Sequence, residues 1–186
     1  MILPFNGQKR IQCTVRIILW LSILGMILAT YLTYNHYKVD AESFCSISQV
    51  INCDIVNKSI YAEIFGIPVA ILGFLTYLFF AAVSLLLLNY SDFEKTYSRI
   101  TTYDLHWLVF FVAIIGVGFS LWLTYVEAYL LKTWCPLCVL SLLLLISIFV
   151  LAIYTIFLDY YDRKHKKTMN PQGKYIIKKG KVCEFC

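Results

Sequence analysis

Two cysteines separated by two residues, Cys135 and Cys138, are the strongest sign of chemistry in this sequence. They stand directly before an apolar run, 139–158, which predicts that they lie at the first turn of a hydrophobic helix. Unpaired backbone N–H groups and the positive dipole end of a helix N-terminus favour thiolate, the reactive form of cysteine. Pro136 fits there, because a first helical turn does not need its missing N–H. The pair is a candidate reactive dithiol, but the spacing alone leaves metal ligands and unreactive cysteines open.

The sequence contains four uncharged runs of 21 to 28 residues, and each exceeds the roughly 20 residues needed to cross a bilayer core. These runs must form the structure that positions the two cysteines. A hydrophobic content of 60% agrees with membrane spans. Backbone groups find no water inside lipid, so each run should be a helix. We predict an all-α membrane protein, a four-transmembrane-helix bundle with an extracytoplasmic loop and a short half-helix, with spans at about 15–37, 66–90, 105–126 and 134–158.

The chain accordingly divides into a cytoplasmic N-terminal lead, residues 1–14, a membrane domain, residues 15–158, and a basic cytoplasmic tail, residues 159–186. The first span is predicted to be a retained anchor, because it is long for a signal peptide and has no A-x-A cleavage site.

The first loop holds the half-helix, which we predict at 57–65. Within it, Glu63 either pairs with Lys58 or is solvated. His36, at the end of the first span, is interpreted as an interfacial residue rather than a proton shuttle or metal ligand.

The distribution of Lys and Arg predicts which side of the membrane each loop faces. The sequence contains 16 Lys and Arg residues, and only Lys38, Lys58 and Lys132 lie in the first and third loops. Because basic residues concentrate on the cytoplasmic side, both termini should be cytoplasmic and these two loops extracytoplasmic. The formal charge of +5 then reflects topology and attraction to membrane lipid, and no nucleic-acid partner is expected.

This topology places two cysteine pairs on one side of the membrane. Cys45 and Cys53 of the first loop share the oxidising side with Cys135 and Cys138. A loop pair beside a helical pair suits thiol-disulfide exchange, in which a thiolate attacks a disulfide through a mixed intermediate. The loop pair would carry electrons from an outside partner to the helical pair.

The remaining cysteines are expected to stand outside this reaction. Cys13 is interpreted as a reduced bystander at the cytoplasmic face, with palmitoylation as the alternative. Cys183 and Cys186 form a second C-x-x-C in the tail, on the opposite side, where metal binding or regulation is the alternative to no role.

The electrons must leave the helical pair, and the sequence has no G-x-G-x-x-G motif and no histidine pair within its spans for a nicotinamide, flavin or haem group. A lipid-soluble quinone beside Cys138 is the simplest acceptor. Aromatic side chains that could wall its site, although they equally suit a lipid-facing surface, are Phe65, Phe110, Phe111, Phe119 and Trp122.

Several of these residues occur in a characteristic order. They are Phe44-Cys45, Cys53, Ser59, Phe65-Gly66-Ile67-Pro68 and Trp134-Cys135-Pro136-Leu137-Cys138. In motif order, loop placement and helix count, residues 15–158 resemble the vitamin K epoxide reductase family, and its prokaryotic branch is the closer match.

The resemblance implies a four-helix bundle around a quinone, ubiquinone or menaquinone. It assigns Cys138 to the quinone, Cys135 to exchange with Cys53, and Cys45 to the thiol partner. Ser59 matches a serine that the family keeps near the quinone, where it would hydrogen-bond or orient it.

Two departures limit what the resemblance carries over. Vertebrate members have an asparagine on helix two that contacts the vitamin K head group, whereas the position here, near Val69, is apolar, so epoxide reduction is not expected. Many bacterial members continue into a fifth helix and a thioredoxin-like domain, whereas this sequence ends at Cys186. A separate periplasmic thioredoxin-fold protein is therefore the expected partner.

The predicted function is that of a thiol-disulfide oxidoreductase in a prokaryotic cell (inner) membrane, which oxidises this partner, reduces a quinone and so supports disulfide formation in exported proteins. The alternative is a carrier of Hg(II) or Cu(I), because soft ions select thiolates. A carrier needs ligands through the membrane or on both faces, and no cysteine lies mid-span. A structural protein stapled by a loop disulfide is a third interpretation, which leaves Cys135 and Cys138 unexplained.

Overall fold

The computed structural model describes residues 5–38, 44–48, 50–89 and 102–169, and its main elements are helices. Four of these helices are long and apolar enough to cross a membrane, which confirms the predicted bundle. In chain order the helices are α1 (Phe5–Tyr37), α2 (Cys53–Asn57), α3 (Val69–Leu88), α4 (Thr102–Tyr125) and α5 (Pro136–Met169).

The bundle is packed unevenly. α1 lies along both α3 and α5, and α4 lies along α5, whereas α3 and α4 touch much less. The core between the helices is apolar, and its fully buried members include Phe80, Ala113 and Ile148. Cys45, Cys53 and Cys135 lie together at one end of the bundle, which we call the cysteine end.

One stripe of α1 forms its contact with the other helices. Its buried residues recur every three or four positions, the spacing that places side chains on one helical face. Small residues in the middle of the stripe let a neighbouring helix approach closely, as is common in membrane bundles. The stripe consists of Val15, Ile18, Ser22, Gly25, Ala29 and Leu32.

We expect Gly25→Ala to destabilise the bundle. A Cβ at Gly25 would overlap the ring of Tyr77, which is 1% exposed and whose hydroxyl lies 2.9 Å from the hydroxyl of Ser141. The ring therefore has no room to move away, and overpacking of this kind costs about 1–3 kcal/mol. A lower midpoint of thermal unfolding in detergent would show the loss.

The matched control is Gly118→Ala, because no heavy atom lies within 4 Å of a Cβ at that position. That variant should keep the wild-type midpoint or raise it slightly, since alanine favours a helix over glycine by about 1 kcal/mol. Equal midpoints for the two variants would contradict the close approach of α1 and α3 at Gly25.

The first loop carries a short helix, but not where the sequence predicted it. The helix is α2, Cys53–Asn57, whereas 57–65 contains a 3₁₀ turn, Ile60–Ala62, and the first strand of a small hairpin. This hairpin pairs β1 (Glu63–Ile64) antiparallel with β2 (Ile67–Pro68). Phe65 and Gly66 form its turn with φ of 53° and 77°, the left-handed backbone that a two-residue hairpin loop requires.

α4 does not end where its apolar run ends. The sequence predicted a loop from 127 to 133, but the chain remains helical as a π-helix, Val126–Leu131, and turns only at Lys132, whose φ is 50°. α5 likewise continues past the predicted end of its span at 158 to Met169. Cys183 and Cys186 lie outside the described residues.

Candidate active site

A disulfide closes the first loop at the cysteine end. It joins Cys45 to Cys53 across 5.7 Å between their Cα atoms. Both residues are buried, with exposed fractions of 4% and 1%. The loop pair that the sequence singled out is therefore bonded and packed inside the protein.

Main-chain hydrogen bonds attach this loop to the start of α5. The N–H of Trp134 donates to the carbonyl of Val50 over 2.7 Å, and the N–H of Asn52 donates to the carbonyl of Trp134 over 3.1 Å. Cys53 directly follows Asn52 in the sequence, and Cys135 directly follows Trp134. The two sulfur-bearing segments are thus held side by side, and Cys45, Cys53 and Cys135 belong to one buried cluster with Cys138 packed against it.

Asn52 fixes the direction in which the chain leaves this pairing. Its side-chain oxygen accepts hydrogen bonds from the N–H groups of Asp54 and Ile55 at 3.0 and 3.1 Å, so it caps α2. The hydroxyl of Ser46, beside Cys45, donates to the same oxygen over 3.0 Å. Both ends of the loop disulfide therefore meet at one polar anchor.

A second anchor ties the loop to the end of α1. The side-chain amide of Asn57 donates to the carbonyl of Leu32 over 2.7 Å, and Nδ1 of His36 donates to the carbonyl of Asn57 over 2.6 Å. Nε2 of His36 lies 3.2 Å from the carboxylate of Glu63. Glu63 thus pairs with His36, and the histidine has a structural contact that the sequence did not indicate.

The helical pair sits where the prediction placed it, at the N-terminus of α5. Pro136 is the first residue of that helix, and the carbonyl of Cys135 accepts the first helical hydrogen bond from Val139 over 3.1 Å. The N–H of Cys138 donates to Sγ of Cys135 over 3.2 Å. Cys135 therefore caps the helix with its sulfur.

The two helical cysteines differ in access. Cys135 is fully buried, whereas Cys138 is partly exposed, and both are unbridged. Cys138 packs beside the same cluster as Ala70 of α3 and Leu131 of the π-helix. Of the two residues, Cys138 is therefore the one more accessible to another molecule.

Glu127 is a residue of this site that the sequence interpretation missed. It lies in the π-helix, is 1% exposed, and its carboxylate accepts the backbone N–H of Cys135 over 3.1 Å. One carboxylate oxygen and the sulfur atoms of Cys135 and Cys138 all lie within 4.8 Å of one another. The available signal was an acidic residue near the end of an apolar run, because an ionisable residue in a span is by default a functional candidate.

The residues predicted to contact a quinone are distributed over the loop and α4. The hydroxyl of Ser59 donates to the carbonyl of Val56 over 2.8 Å. Phe65, at the hairpin turn, is fully exposed, so its ring is not packed against the described part of the bundle. Phe119 and Trp122 have ring centroids 5.8 Å apart, and Trp122 is 48% exposed.

Two further aromatic candidates lie deeper along α4. The ring of Phe110 stacks against Phe149 of α5 with centroids 5.5 Å apart, whereas Phe111 is 55% exposed. Phe110 therefore contributes to helix packing, and Phe111 faces the surroundings of the bundle.

Small residues of α3 lie near the cysteine end. Ala70 and Cys138 both pack against the buried cysteine cluster, and Gly73 lies one helical turn beyond Ala70 with no heavy atom within 4 Å of where its Cβ would be. A partly exposed cysteine within an apolar bundle fits a quinone, which Cys138 and Ala70 would help to hold.

Comparison with known proteins agrees with this arrangement. The vitamin K epoxide reductase family matches residues 16–153, which include α3 and α4, parts of α1 and α5, and both of these cysteine pairs. A search of curated proteins found no match. The chain therefore belongs to the vitamin K epoxide reductase family and is a membrane thiol-disulfide oxidoreductase, of a kind whose members use quinones as cofactors.

Proposed function

We propose that this protein oxidises a separate, extracytoplasmic thioredoxin-fold protein and passes the electrons to a quinone, thereby supporting disulfide formation in exported proteins. One observation carries the proposal. A closed loop disulfide, Cys45–Cys53, and an open helical pair, Cys135 and Cys138, share one buried cluster. Two pairs in opposite redox states and in contact are what an electron relay between thiols requires.

The order of the thiol-disulfide exchange steps follows the roles that the family resemblance assigns to the four cysteines. A reduced partner first opens the loop disulfide through Cys45 and leaves both loop thiols reduced. Cys53 then attacks Cys135 of an oxidised helical pair, forming a Cys53–Cys135 disulfide and releasing the sulfur of Cys138. Attack by Cys45 on Cys53 closes the loop disulfide again and releases Cys135. Two electrons have then moved to the helical pair, which gives the redox state seen in the structure.

A bound quinone, ubiquinone or menaquinone, would supply a two-electron acceptor next to the helical pair. The contribution of the chain is to hold Cys138 against the buried cysteine cluster and to close the Cys135–Cys138 disulfide as the electrons leave. The buried cluster keeps water away from the exchanging sulfur atoms. Ser59 is a candidate for orienting the quinone. Its hydroxyl donates to the carbonyl of Val56 in the structure, and this bond would compete with a bond to the quinone.

The orientation in the membrane follows from charge. Both cysteine pairs lie at one end of the bundle, and the loops there contain only three of the 16 Lys and Arg residues. Basic residues concentrate on the cytoplasmic side, so the proposed orientation has the cysteine end outside and both termini inside a prokaryotic cell (inner) membrane.

The test is a quinone-reduction assay in membranes with two electron donors, a reduced thioredoxin-like protein and a small dithiol. Cys45→Ala and Cys53→Ala should each lose activity with the protein donor, because the buried helical pair has no other route to a large partner. Both should retain activity with the small dithiol, which can reach Cys138 directly. The measured quantity is the initial rate of quinone reduction for each donor.

Wild-type protein with each donor is the reference, and Cys13→Ser is the matched control, since Cys13 is free and lies near the opposite end of α1. Undiminished activity of both loop variants with the protein donor would refute the shuttle. Equal loss with both donors would show that the loop pair is needed for something other than contact with the partner.

The metal-carrier alternative has less support from the structure. In the described helices, cysteines occur near the inner end of α1 and at the cysteine end, with none between. A carrier would need thiolates along that path. Stoichiometric retention of Hg(II) or Cu(I) after purification under reducing conditions, together with no quinone reduction, would favour it.

A further inference from the structure

We propose that Glu127 is the proton acceptor and donor for the thiol of Cys138. The inference rests on the proposed function, because it concerns how the helical pair is oxidised and reduced. It adds to the four cysteines a catalytic carboxyl group within the π-helix.

Burial sets Glu127 apart from the other acidic residues of the cysteine end. Glu127 is 1% exposed, whereas the side chain of Glu63 is 47% exposed. A carboxyl group in an apolar span is costly to bury, and the protein must compensate with hydrogen bonds. The compensation for Glu127 comes from the helical pair, since its carboxylate accepts the backbone N–H of Cys135.

The π-helix places the carboxyl group at this point. A π-helical turn contains one residue more than an α-helical turn, and such turns occur often at functional sites. Here it extends α4 beyond Tyr125 and turns the side chain of Glu127 inward, while its neighbours Tyr129 and Leu130 stay exposed. The site thus receives a carboxyl group that an α-helix ending at Tyr125 would not supply.

The sulfur atoms of Cys135 and Cys138 have different polar neighbours. Sγ of Cys135 accepts the N–H of Cys138 at the N-terminus of α5. That same contact uses the N–H that could otherwise approach the sulfur of Cys138. The carboxyl group of Glu127 is the titratable group beside Cys138 instead, since one of its oxygens lies within 4.8 Å of the sulfur of Cys138.

In the proposed role, Glu127 takes up one proton from Cys138 and later returns it. Cys135 enters this step as the thiolate that the relay releases. When the helical pair is oxidised, the S–H bond of Cys138 breaks, its proton moves to a carboxylate oxygen of Glu127, and the Cys135–Cys138 bond forms. The electron pair passes to the quinone named in the proposed function, and the two protons that the reduced quinone needs come from water. When Cys53 later attacks Cys135, the sulfur–sulfur bond to Cys138 breaks, and Glu127 returns the proton to the departing thiolate of Cys138.

The test measures this second step without quinone. Protein purified in detergent, depleted of quinone and with both pairs oxidised, is mixed with one equivalent of a reduced thioredoxin-like protein, which delivers its electrons through the loop pair, and is then quenched in acid and alkylated. Mass spectrometry then follows the appearance of free Cys135 and Cys138. Glu127→Gln should slow that step about 100-fold, because the amide keeps the acceptor for the N–H of Cys135 but carries no transferable proton.

Two other variants make the result specific. Glu127→Asp should recover most of the rate, since it restores a carboxyl group on a shorter side chain. Glu63→Gln, the same chemical change at an exposed carboxylate of the same end, should stay within about twofold of wild type, as removal of exposed ion pairs usually does.

Several outcomes would overturn the proposal. One is an exchange rate for Glu127→Gln within about threefold of wild type, well short of the usual effect of losing an acid or base. Another is an equally large loss in the Gln and Asp variants with unchanged thermal unfolding, which would assign Glu127 a purely geometric role. If Glu127→Gln does not fold, a folded Glu127→Asp variant decides alone, since a rate close to wild type supports the proposal and a 100-fold loss refutes it.

Failure of the proposed function would look different. Normal exchange in the wild type without any quinone reduction would refute the quinone as acceptor, while the effect of Glu127→Gln on the exchange step would still stand.

Discussion

Cys138→Ser and Cys135→Ser should each abolish quinone reduction with a small dithiol as donor. A hydroxyl group cannot form the disulfide that stores the two electrons, so either replacement leaves the pair unable to cycle. Loss of a residue that forms the covalent intermediate lowers the rate by at least about 1000-fold. The small dithiol is the right donor because it bypasses the loop pair, and the measured quantity is the initial rate in membranes with equal amounts of each variant.

Cys13→Ser is again the control, because it removes the third free cysteine of the described chain without touching the site. Its rate should equal that of wild type. Full activity in both Cys135→Ser and Cys138→Ser would rule out the helical pair as the redox centre.

A protein that retains only Cys53 and Cys135 should form a disulfide between them on mild oxidation. Both sulfur atoms belong to one buried cluster, and the hydrogen bonds of Trp134 hold their segments side by side. With Cys45 and Cys138 replaced by serine, neither remaining cysteine has its usual partner, so the mixed disulfide cannot be resolved. Peptide mapping without reductant should find the Cys53–Cys135 link in most molecules.

The matched control retains Cys45 and Cys138 instead, with the other cysteines replaced by serine in both proteins. The paired segments run through Cys53 and Cys135, so the control should cross-link far more slowly under the same oxidant. Comparable cross-linking of the two proteins would mean that the loop moves too freely for the backbone pairing to select one exchange partner.

The bundle itself was predictable from the sequence because membrane spans are a local property. Charge-free runs of sufficient length, interrupted by short polar segments, set the number and approximate positions of the spans before any contact is known. The helices themselves extend further, since α1 begins at Phe5 rather than at 15 and α5 ends at Met169 rather than at 158. The start of α5 was predictable for the same reason, since Pro136 and the apolar run behind it mark a helix N-terminus by themselves.

The features that the sequence did not reveal depend on contacts between distant residues. The short helix begins at Cys53 because Asn52 caps it, and Asn52 is itself held by Trp134, which lies far along the chain. The ion pair of His36 with Glu63 also joins residues distant in sequence. Composition and periodicity report neither kind of contact.

Glu127 was missed for a different reason. Its charge marked the end of an apolar run, and a charged residue at such a boundary normally enters the loop. Here a π-helical turn carries the chain one element further and places the carboxylate inside. Hydrophobic length predicts where a span can end, but it does not predict a change of helix type at that end.

The backbone pairing of the first loop with the start of α5 leaves two loop positions, Val50 and Ile51, open to substitution. The bonds that join Val50 and Asn52 to Trp134 run between backbone atoms, while the side chains of Val50 and Ile51 are 57% and 37% exposed. The alignment of the exchanging sulfur atoms is thus largely independent of which side chains those two positions carry. Under the proposed relay, donor preference and internal electron transfer are therefore separable traits, and substitutions at Val50 and Ile51 should leave the alignment of Cys53 with Cys135 intact.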